Sequence, residues 1–455
     1  MNSGVTNTTS AMLKLVCIFA VLATTLAVDG DFDIDIGIPR AKGTCQFRCV
    51  SDGSCLLDFA QTCDGVEDCP QGEDEDCGSL CDPETCLLRD NCHCLSTSPP
   101  GGLEPKDVPQ MILINTENEI PYSGIFSTRS TDKDGKAIRV PRKNPNGCQA
   151  TGTFFFRHEY TNYAYVKQVY ARGHEIGSLS ISHQLPSTYW AMASAEEWDR
   201  ELSGHKQLLE KFAGINPADV KGTRGSPYYQ VGGENQFDAM SRNGFAYDSS
   251  MATHYNNPPV YPYTLDHKNR IECFVPPCPL KSWPGIWEIP LNVYNDVNGT
   301  RCKQLGSCYR PGNRDWYSFI KQNFNRHYLT NRAPFQITLR NDWFISSSTA
   351  YRGLIQFLDE MAEMNDVYFV SMSQAIDWMR NPTPLSSISS FKPWNWCQEP
   401  QNRDRSCDNV ASCQYINVTH VPLPNERVMR ICDPAECPPI YPWVGRPLGE
   451  LPGQG

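Results

Sequence analysis

Apolar residues recur along the middle of the chain in short runs that alternate with longer helix-like stretches. The runs MILI, TFFF, ITL and VYFV occupy residues 111–114, 153–156, 337–339 and 367–370. The helix-like stretches occupy residues 163–172, 196–212, 315–327 and 351–364. A short apolar run bounded by polar residues is consistent with a buried strand. Strands that alternate with helices predict parallel pairing, and therefore an α/β barrel or layered sheet with functional residues at the carboxyl ends of strands.

Cysteine spacing divides the chain into zones. Six cysteines fall in residues 45–77, four in 81–94 and five in 397–437, out of 21 in all. A segment as short as the first cannot bury a core, so disulfides must hold it. The odd number in the last zone requires a long-range disulfide if all are oxidised, and Cys148 is a candidate partner. The tail after Pro438 is rich in proline and glycine and is predicted to be loose.

Residues 1–27 predict a secretory signal peptide, because a lysine precedes an apolar run and acidic residues follow it. The run is shorter than the ~20 residues that a membrane span needs, and no later stretch is apolar enough. We therefore expect a secreted chain, the alternative being a short signal anchor that stays attached. Sequons at Asn298 and Asn417 predict glycans. The net charge of −11 argues against a nucleic-acid partner.

Acidic residues lie between the cysteines of residues 45–77. Oxygen ligands at this density suit Ca²⁺, which takes six to eight of them. The spacing resembles the LDL-receptor class A repeat. That resemblance implies disulfides Cys45–Cys55, Cys49–Cys69 and Cys63–Cys77, and a calcium ion held by Asp64, Asp68, Asp74 and Glu75. It also implies a possible extracellular protein partner, whereas the alternative is a solvated acidic loop.

A series of motifs runs through the large middle region. In order they are PQMILI followed by NTENE, TFFF, GHEIGSLSISH, GTRGSPY, FAYDSS, YPYTLD, PGIWEIP and NRAPF. Together they resemble the polysaccharide deacetylase family, specifically the chitin deacetylase-like proteins of invertebrates. The resemblance implies a distorted (β/α) barrel over residues 80–396, preceded by the small calcium-binding repeat at 45–77. Residues 397–455 would form a cysteine-containing C-terminal extension.

The resemblance also implies a reaction, the metal-assisted hydrolysis of an N-acetyl group. In the family one Asp and two His hold a zinc ion, which polarises the acetyl carbonyl and lowers the pKa of a bound water to about 7. A second Asp takes the proton of that water, and a His late in the chain protonates the leaving amine.

This sequence departs from the family at nearly all of those positions. Glu117 stands at the position of the catalytic base. Asn118 and Leu179 replace two metal ligands, and only His183 remains. Arg340 replaces the acid His, and a guanidinium with a pKa above about 12 cannot give up a proton at neutral pH. An amide is a poor zinc ligand and one imidazole does not hold the ion, so zinc is not expected.

A glycan-binding groove is expected to persist, because sugar rings stack on aromatic faces. Tyr228, Tyr247 and Trp287 stand in the motifs that form the family's cleft, and Arg224 would add a fixed donor. Tyr261 and Trp343 stand beside them. The alternative for each aromatic side chain is ordinary core packing.

The sequence thus predicts a secreted chitin deacetylase-like protein that binds chitin in extracellular matrix without deacetylating it. One alternative is an active deacetylase with a rebuilt metal site, or with a metal-free mechanism in which Glu117 is the base. Another alternative makes the acidic repeat a calcium-dependent protein-binding module on a scaffold. Isolated histidines such as His174 are expected to be structural.

Overall fold

The computed structural model places most of the large middle region and parts of both ends. It describes residues 47–49, 51–56, 61–63, 65–75, 78–117, 125–225, 232–252, 257–268, 277–296, 301–302, 305–308, 315–340, 343, 348–398, 407, 409–422, 425–432 and 436–451. The predicted signal peptide and the sequon at Asn298 lie outside these residues. Among the described helices, none is both long and apolar enough to cross a membrane.

Strands and helices alternate through the large region. In chain order the strands are β1 (Phe47–Arg48), β2 (Cys55–Leu56), β3 (Gln110–Glu117), β4 (Ser127–Thr131), β5 (Ala137–Pro141), β6 (Thr153–Phe156), β7 (Glu175–Ser178), β8 (Gly222–Thr223), β9 (Tyr247–Asp248), β10 (Tyr263–Thr264), β11 (Trp287–Glu288), β12 (Tyr294–Asn295), β13 (Arg301–Cys302), β14 (Phe335–Arg340), β15 (Val367–Phe369), β16 (Val410–Val418) and β17 (Asn425–Cys432). The α-helices are α1 (Tyr163–Ala171), α2 (Thr188–Met192), α3 (Ala195–Ala213), α4 (Gly233–Arg242), α5 (Trp316–Tyr328), α6 (Ser348–Ala362) and α7 (Met372–Arg380).

Nine of the described strands form one curled sheet in the order β10-β11-β9-β8-β7-β6-β3-β14, with β15 also paired to β3. All of these pairs are parallel except β10 with β11. The fold is a distorted (β/α) barrel, as predicted. All four apolar runs of the sequence lie in or overlap strands of this sheet, namely β3, β6, β14 and β15.

The central strand β3 is buried on both faces. Its side chains alternate between two apolar clusters, with Met111 and Leu113 in the barrel interior. Ile112 and Ile114 face the larger cluster, to which the surrounding helices contribute. A strand enclosed in this way has a continuous apolar sequence instead of an alternating one, which explains the run MILI.

Helix α3 shows why the helix-like stretches fold as predicted. Ser194 caps its first turn and Glu197 completes a capping box, and Gly214 ends it in the left-handed conformation at φ 62°. The predicted stretch 196–212 therefore matches α3 to within a residue at each end. α2, α4 and α7, of five to ten residues each, were not predicted, because short helices often have weak periodicity. The nine-residue helix α1 was predicted, as the stretch 163–172.

The C-terminal extension packs on the barrel. Strands β16 and β17 form an antiparallel hairpin whose Cys413 and Met429 join the main core. Cys397 is bonded to Cys148 across 249 residues of sequence, which confirms the predicted long-range disulfide. The prediction of a loose tail after Pro438 is wrong, because Tyr441 is only 1% exposed and belongs to the same core. Its proline and glycine content reflects turns on a packed surface.

The small N-terminal module is attached to the barrel by contacts as well as by the chain. Cys49 and Cys69 form the disulfide that the resemblance implies. Both pack in a small apolar cluster with Leu280 of the large region. Gly78 donates its backbone N–H to the carbonyl of Leu280 at 2.9 Å. The cluster and this hydrogen bond join the module to the large region.

For each of the other two implied disulfides, only one of the two cysteines lies within the described residues. Cys55 and Cys63 are disulfide-bonded. The partners that the resemblance assigns to them, Cys45 and Cys77, lie outside the described residues. The identity of this module therefore stays a prediction.

Three buried histidines predict acid sensitivity. Burial lowers the pKa of His158, His205 and His327 to about 3. The folded chain thus binds fewer protons than the unfolded chain between about pH 6.5 and pH 3, and stability falls as the pH drops through this window, by ~1.4 kcal/mol per pH unit for each histidine. Other buried groups titrate in the same range, because burial also lowers the pKa of His183 to about 3 and raises that of Glu234 to about 7. The test is therefore a comparison by urea unfolding across the window, in which His205→Gln should lose one such step of slope relative to the unaltered chain. An unchanged slope in the variant would contradict the assignment.

Candidate functional site

The carboxyl ends of the parallel strands meet at one edge of the barrel and bring distant residues together. At this edge lie Glu117 at the end of β3, Arg157 after β6, Leu179 after β7, Arg224 after β8 and Arg340 at the end of β14. Arg340 and Glu117 are direct neighbours in the pairing of β14 with β3. The predicted positions Asn118 and Tyr228 lie outside the described residues.

Glu117 is nearly buried and is paired with Arg224. The carboxylate Oε1 lies 3.6 Å from Nη1 of Arg224, whose side chain is 0% exposed. The same Nη1 donates to Oδ1 of Asn115 at 2.5 Å. A buried carboxylate needs such a partner, because desolvation otherwise favours its neutral form. The base position thus keeps a carboxylate that a fixed cation holds in place.

The remaining contacts of Arg224 show that its buried side chain connects neighbouring segments of the barrel. Nε donates to the carbonyl of Ser249 at 3.0 Å and Nη2 donates to the Ser249 hydroxyl at 3.1 Å. Its guanidinium carbon lies 4.5 Å from the ring centre of Phe155. The prediction that Arg224 contacts a glycan directly is wrong, because its side chain has no exposed surface.

The loop that carries Leu179 and His183 is fixed by helix α3. Glu201 accepts hydrogen bonds from the backbone N–H groups of Ile181 and Ser182, both at 2.9 Å, and from the Ser182 hydroxyl. One helical turn later, His205 is 2.7 Å from the hydroxyl of Ser178 through Nδ1. The loop conformation is therefore specified from outside the site.

The side chains of Leu179 and His183 lie in different environments. Leu179 is 1% exposed and packs in the barrel interior with Phe155, Tyr247 and other core residues. His183 has a left-handed backbone at φ 45°. Its Nδ1 is buried and lacks a hydrogen-bond partner among the described residues. Where a second imidazole would be needed for a metal, the chain has a hydrocarbon packed into the core.

The charges around His183 are positive. Burial, followed by the charges of Arg157 and Arg340, lowers the pKa of His183 to about 3. The ring is therefore neutral at physiological pH and lies in the field of two guanidinium groups. Cations at this position oppose a second cation in the same space.

These residues do not fit the zinc ion of the family. Within the described parts of the chain, no set of three His, Cys, Asp or Glu ligand atoms within 4.8 Å of one another includes His183. The sets that do meet this distance contain Cys81, Cys86, Cys92 or Cys94, which are already paired in disulfides. Leu179 and Arg340 provide no alternative ligand.

The aromatic side chains predicted for the cleft are core residues. Tyr247 and Trp287 are both 0% exposed. The Tyr247 hydroxyl donates to Glu175 at 2.9 Å, and the Trp287 N–H donates to Asn91 at 2.9 Å. The prediction that these two rings bind glycan is wrong, because they face the barrel interior and their polar atoms are used there. Tyr261 and Trp343 are buried as well.

A pair of buried carboxyl groups lies beside the site and was missed from the sequence. Asp248 and Glu288 are neighbours in the pairing of β9 with β11. Burial and the charge of Asp248 raise the pKa of Glu288 well above its usual value. Asp248 Oδ1 accepts from Thr223 at 3.0 Å and from Gln236 at 2.9 Å. The available signal was an acidic residue within each of the motifs FAYDSS and PGIWEIP.

His174 behaves as the structural residue that the sequence predicts. It is 1% exposed and its Nδ1 accepts the backbone N–H of Gly152 at 3.1 Å. Its ring makes edge contacts with Phe126 and Phe154. It lies just before β7, at the opposite edge of the sheet from the site.

The acidic repeat has oxygen donors of the kind that calcium binds. The carboxylate of Asp74 accepts the backbone N–H groups of Asp68 and Cys69, both at 2.9 Å, and Glu75 Oε2 accepts that of Gly65 at 2.8 Å. Among the described carboxylates no three oxygens from Asp68, Asp74 and Glu75 lie within 4.8 Å of one another. Asp64, the fourth predicted ligand, lies outside the described residues.

Comparison with known proteins gives similarity over most of the chain. It is 36% identical over 376 residues to chitin deacetylase 8 of Bombyx mori, covering 81% of this chain and 93% of that protein. It is 33% identical over 432 residues to chitin deacetylase 1 of Bombyx mori, covering 89% of this chain and 77% of that protein. The solved structure of a probable polysaccharide deacetylase from Pseudomonas aeruginosa PAO1 matches at 16% identity with a TM-score of 0.39, covering 62% of this chain and 95% of that one. No family model matches.

The buried pair of Arg224 and Glu117 predicts a large loss of stability on truncation. Arg224→Met should lower the free energy of unfolding by about 3–5 kcal/mol, because it leaves a buried carboxylate unpaired. Adding Glu117→Gln should restore part of the loss, since no unpaired charge then remains. Lys321→Met is the control, because its partly exposed pair with Glu360 contributes about 1 kcal/mol or less. Urea unfolding measures Arg224→Met, Glu117→Gln, the double variant and Lys321→Met. A double variant whose loss of stability equals the sum of the two single losses would contradict the pairing.

Proposed function

Because the chain belongs to the chitin deacetylase family, we propose that it binds chitin or a related polysaccharide without deacetylating it. The observation that carries this proposal is the packing of Leu179 in the barrel core, where the family places a metal-ligating imidazole. The barrel and the loop around it are retained, whereas the groups that would hold the ion are not. Retained architecture without the metal ligands favours binding over turnover.

The size of each loss supports the same conclusion. Losing a general acid alone typically costs ~10²–10⁴ in rate. Arg340 stands at that position and cannot supply a proton at neutral pH. Losing the metal removes both the polarisation of the acetyl carbonyl and the activated water. Glu117 alone, held by Arg224, can accept a proton but has no activated water to take it from.

The proposed setting is extracellular. The apolar N-terminal run, the sequons and the disulfides support secretion, since disulfides persist in oxidising compartments. Chitin-containing matrix is the proposed location. Calcium bound at Asp64, Asp68, Asp74 and Glu75 would hold the small repeat in shape, because a module of this size lacks a core of its own.

Metal content and acetate release test the proposal together. We expect the purified chain to hold well below a stoichiometric amount of zinc and to release no acetate from N-acetylglucosamine oligomers when zinc or cobalt is added. It should nevertheless sediment with insoluble chitin. Acetate release at a rate that depends on added metal would refute the proposal.

A restored site is the positive control for that experiment. The triple variant Asn118→Asp, Leu179→His and Arg340→His returns the family's ligand and acid residues, and it should bind close to stoichiometric zinc by elemental analysis. Leu179→Met is the matched control, since it keeps an apolar side chain of similar volume and should bind none. Zinc bound equally by the unaltered chain and the triple variant would show that His183 is part of another metal site.

Calcium should stabilise the repeat. A ligand that binds only the folded state at a hundredfold excess over its dissociation constant adds about 2.7 kcal/mol, so calcium should raise the melting temperature of the repeat and EDTA should reverse the change. Asp74→Asn should abolish the response. Asp52→Asn is the matched control, because Asp52 lies in the same module and is not one of the assigned ligands; its Oδ1 accepts the N–H of Ser54 at 2.8 Å. A response that survives Asp74→Asn would exclude the assigned ligands.

A further inference from the structure

The charged groups at the site are mostly positive. At the ends of β3, β6, β8 and β14 the residues are Glu117, Arg157, Arg224 and Arg340. One cation, Arg224, is buried and lies 3.6 Å from the single carboxylate of this group. Arg157 and Arg340 are both partly exposed. These four strand ends carry three guanidinium groups and one carboxylate, and the carboxyl groups of Asp248 and Glu288, at the ends of β9 and β11, lie fully buried beside them. The protein as a whole has a net charge of −11.

His183 marks the space between the two partly exposed arginines. The charges of both arginines add to the effect of burial in lowering the pKa of its ring. Arg157 and Arg340 follow strands that lie on either side of β3, so about two strand spacings, roughly 10 Å, separate their backbones. Arginine side chains are long enough to converge over such a gap. His183 Nδ1, buried and unpartnered among the described residues, adds a neutral polar atom to the same space.

We infer that the space bounded by Arg157, Arg340 and His183 binds an anionic group on a glycan, a carboxylate or a sulfate ester. This inference rests on the proposed function, because it takes the cleft to be the glycan site. It specifies a feature of the ligand that an N-acetylglucosamine polymer lacks. The position that holds a divalent cation in an active deacetylase would here hold an anion.

Guanidinium groups suit this ligand for geometric and electrostatic reasons. Arginine presents paired N–H donors that match two oxygens of a carboxylate or sulfate. Positive charge also attracts anions from solution, and the attraction weakens as salt rises. A neutral sugar gains neither effect. The arginines therefore predict selectivity by charge.

Binding of matched oligosaccharides to the full-length protein tests the inference. The probes are a hexamer of N-acetylglucosamine, a hexasaccharide that alternates N-acetylglucosamine with glucuronate, and a sulfated hexasaccharide of the same length. Calorimetry at low salt should show at least one anionic probe binding about tenfold more tightly than the neutral hexamer. The preference should shrink as salt is added, and comparing the two anionic probes identifies the group.

Variants distinguish the contribution of these two arginines from that of the overall charge of the protein. Arg340→Gln and Arg157→Gln should each reduce the preference by about tenfold, whereas Arg340→Lys should retain most of it. Arg129→Gln on β4, which removes an exposed arginine elsewhere, should change nothing. Thermal melting of each variant checks that it is folded.

The outcomes distinguish this inference from the proposed function. Equal binding of neutral and anionic probes overturns the inference and leaves the proposed function intact. A preference that survives both Arg157→Gln and Arg340→Gln also overturns it. Absence of binding by every probe, chitin included, overturns both.

Discussion

The ion pair between Arg224 and Glu117 is the contact on which the arrangement of the site depends. Through one guanidinium group it joins the ends of β3, β8 and the segment after β9, by way of Glu117, Asn115 and Ser249. A buried charge of this kind contributes less to net stability than to specifying one arrangement, because desolvation offsets much of the attraction. With the pair in place, the strand ends have fixed positions whether or not a metal binds beside them.

The residues that hold the backbone of the site are different from the residues at the family's ligand positions. Glu201 and His205 hold the backbone of the loop after β7 from outside, through hydrogen bonds that do not involve Leu179 or His183. Leu179 can therefore replace a polar residue without disturbing the loop, provided that its side chain is accepted by the core. The interior cluster of Phe155, Tyr247 and Trp287 accepts it. The conformation of the loop therefore does not depend on a polar side chain at position 179.

The sequence predicted the fold well because its signals are local. Strand β3 is apolar throughout since both its faces are buried, and α3 has a capping box and a terminal glycine. The exposure of the aromatic side chains could not be assigned in this way. A tyrosine or tryptophan at a strand end can face solvent or the interior, and only the curl of the sheet decides that Trp287 faces inward. The packed tail after Pro438 was missed for a related reason, because Tyr441 packs against His158 and Tyr415, which are distant in sequence.

The bond between Cys148 and Cys397 makes most of the barrel part of one covalent ring. Closing a loop of that length restricts the unfolded chain by roughly 5 kcal/mol of entropy in the simplest treatment. A further effect concerns cleavage by proteases. A single cleavage at any exposed turn between the two cysteines leaves both fragments tethered, so a nicked molecule remains one particle and can keep its shape.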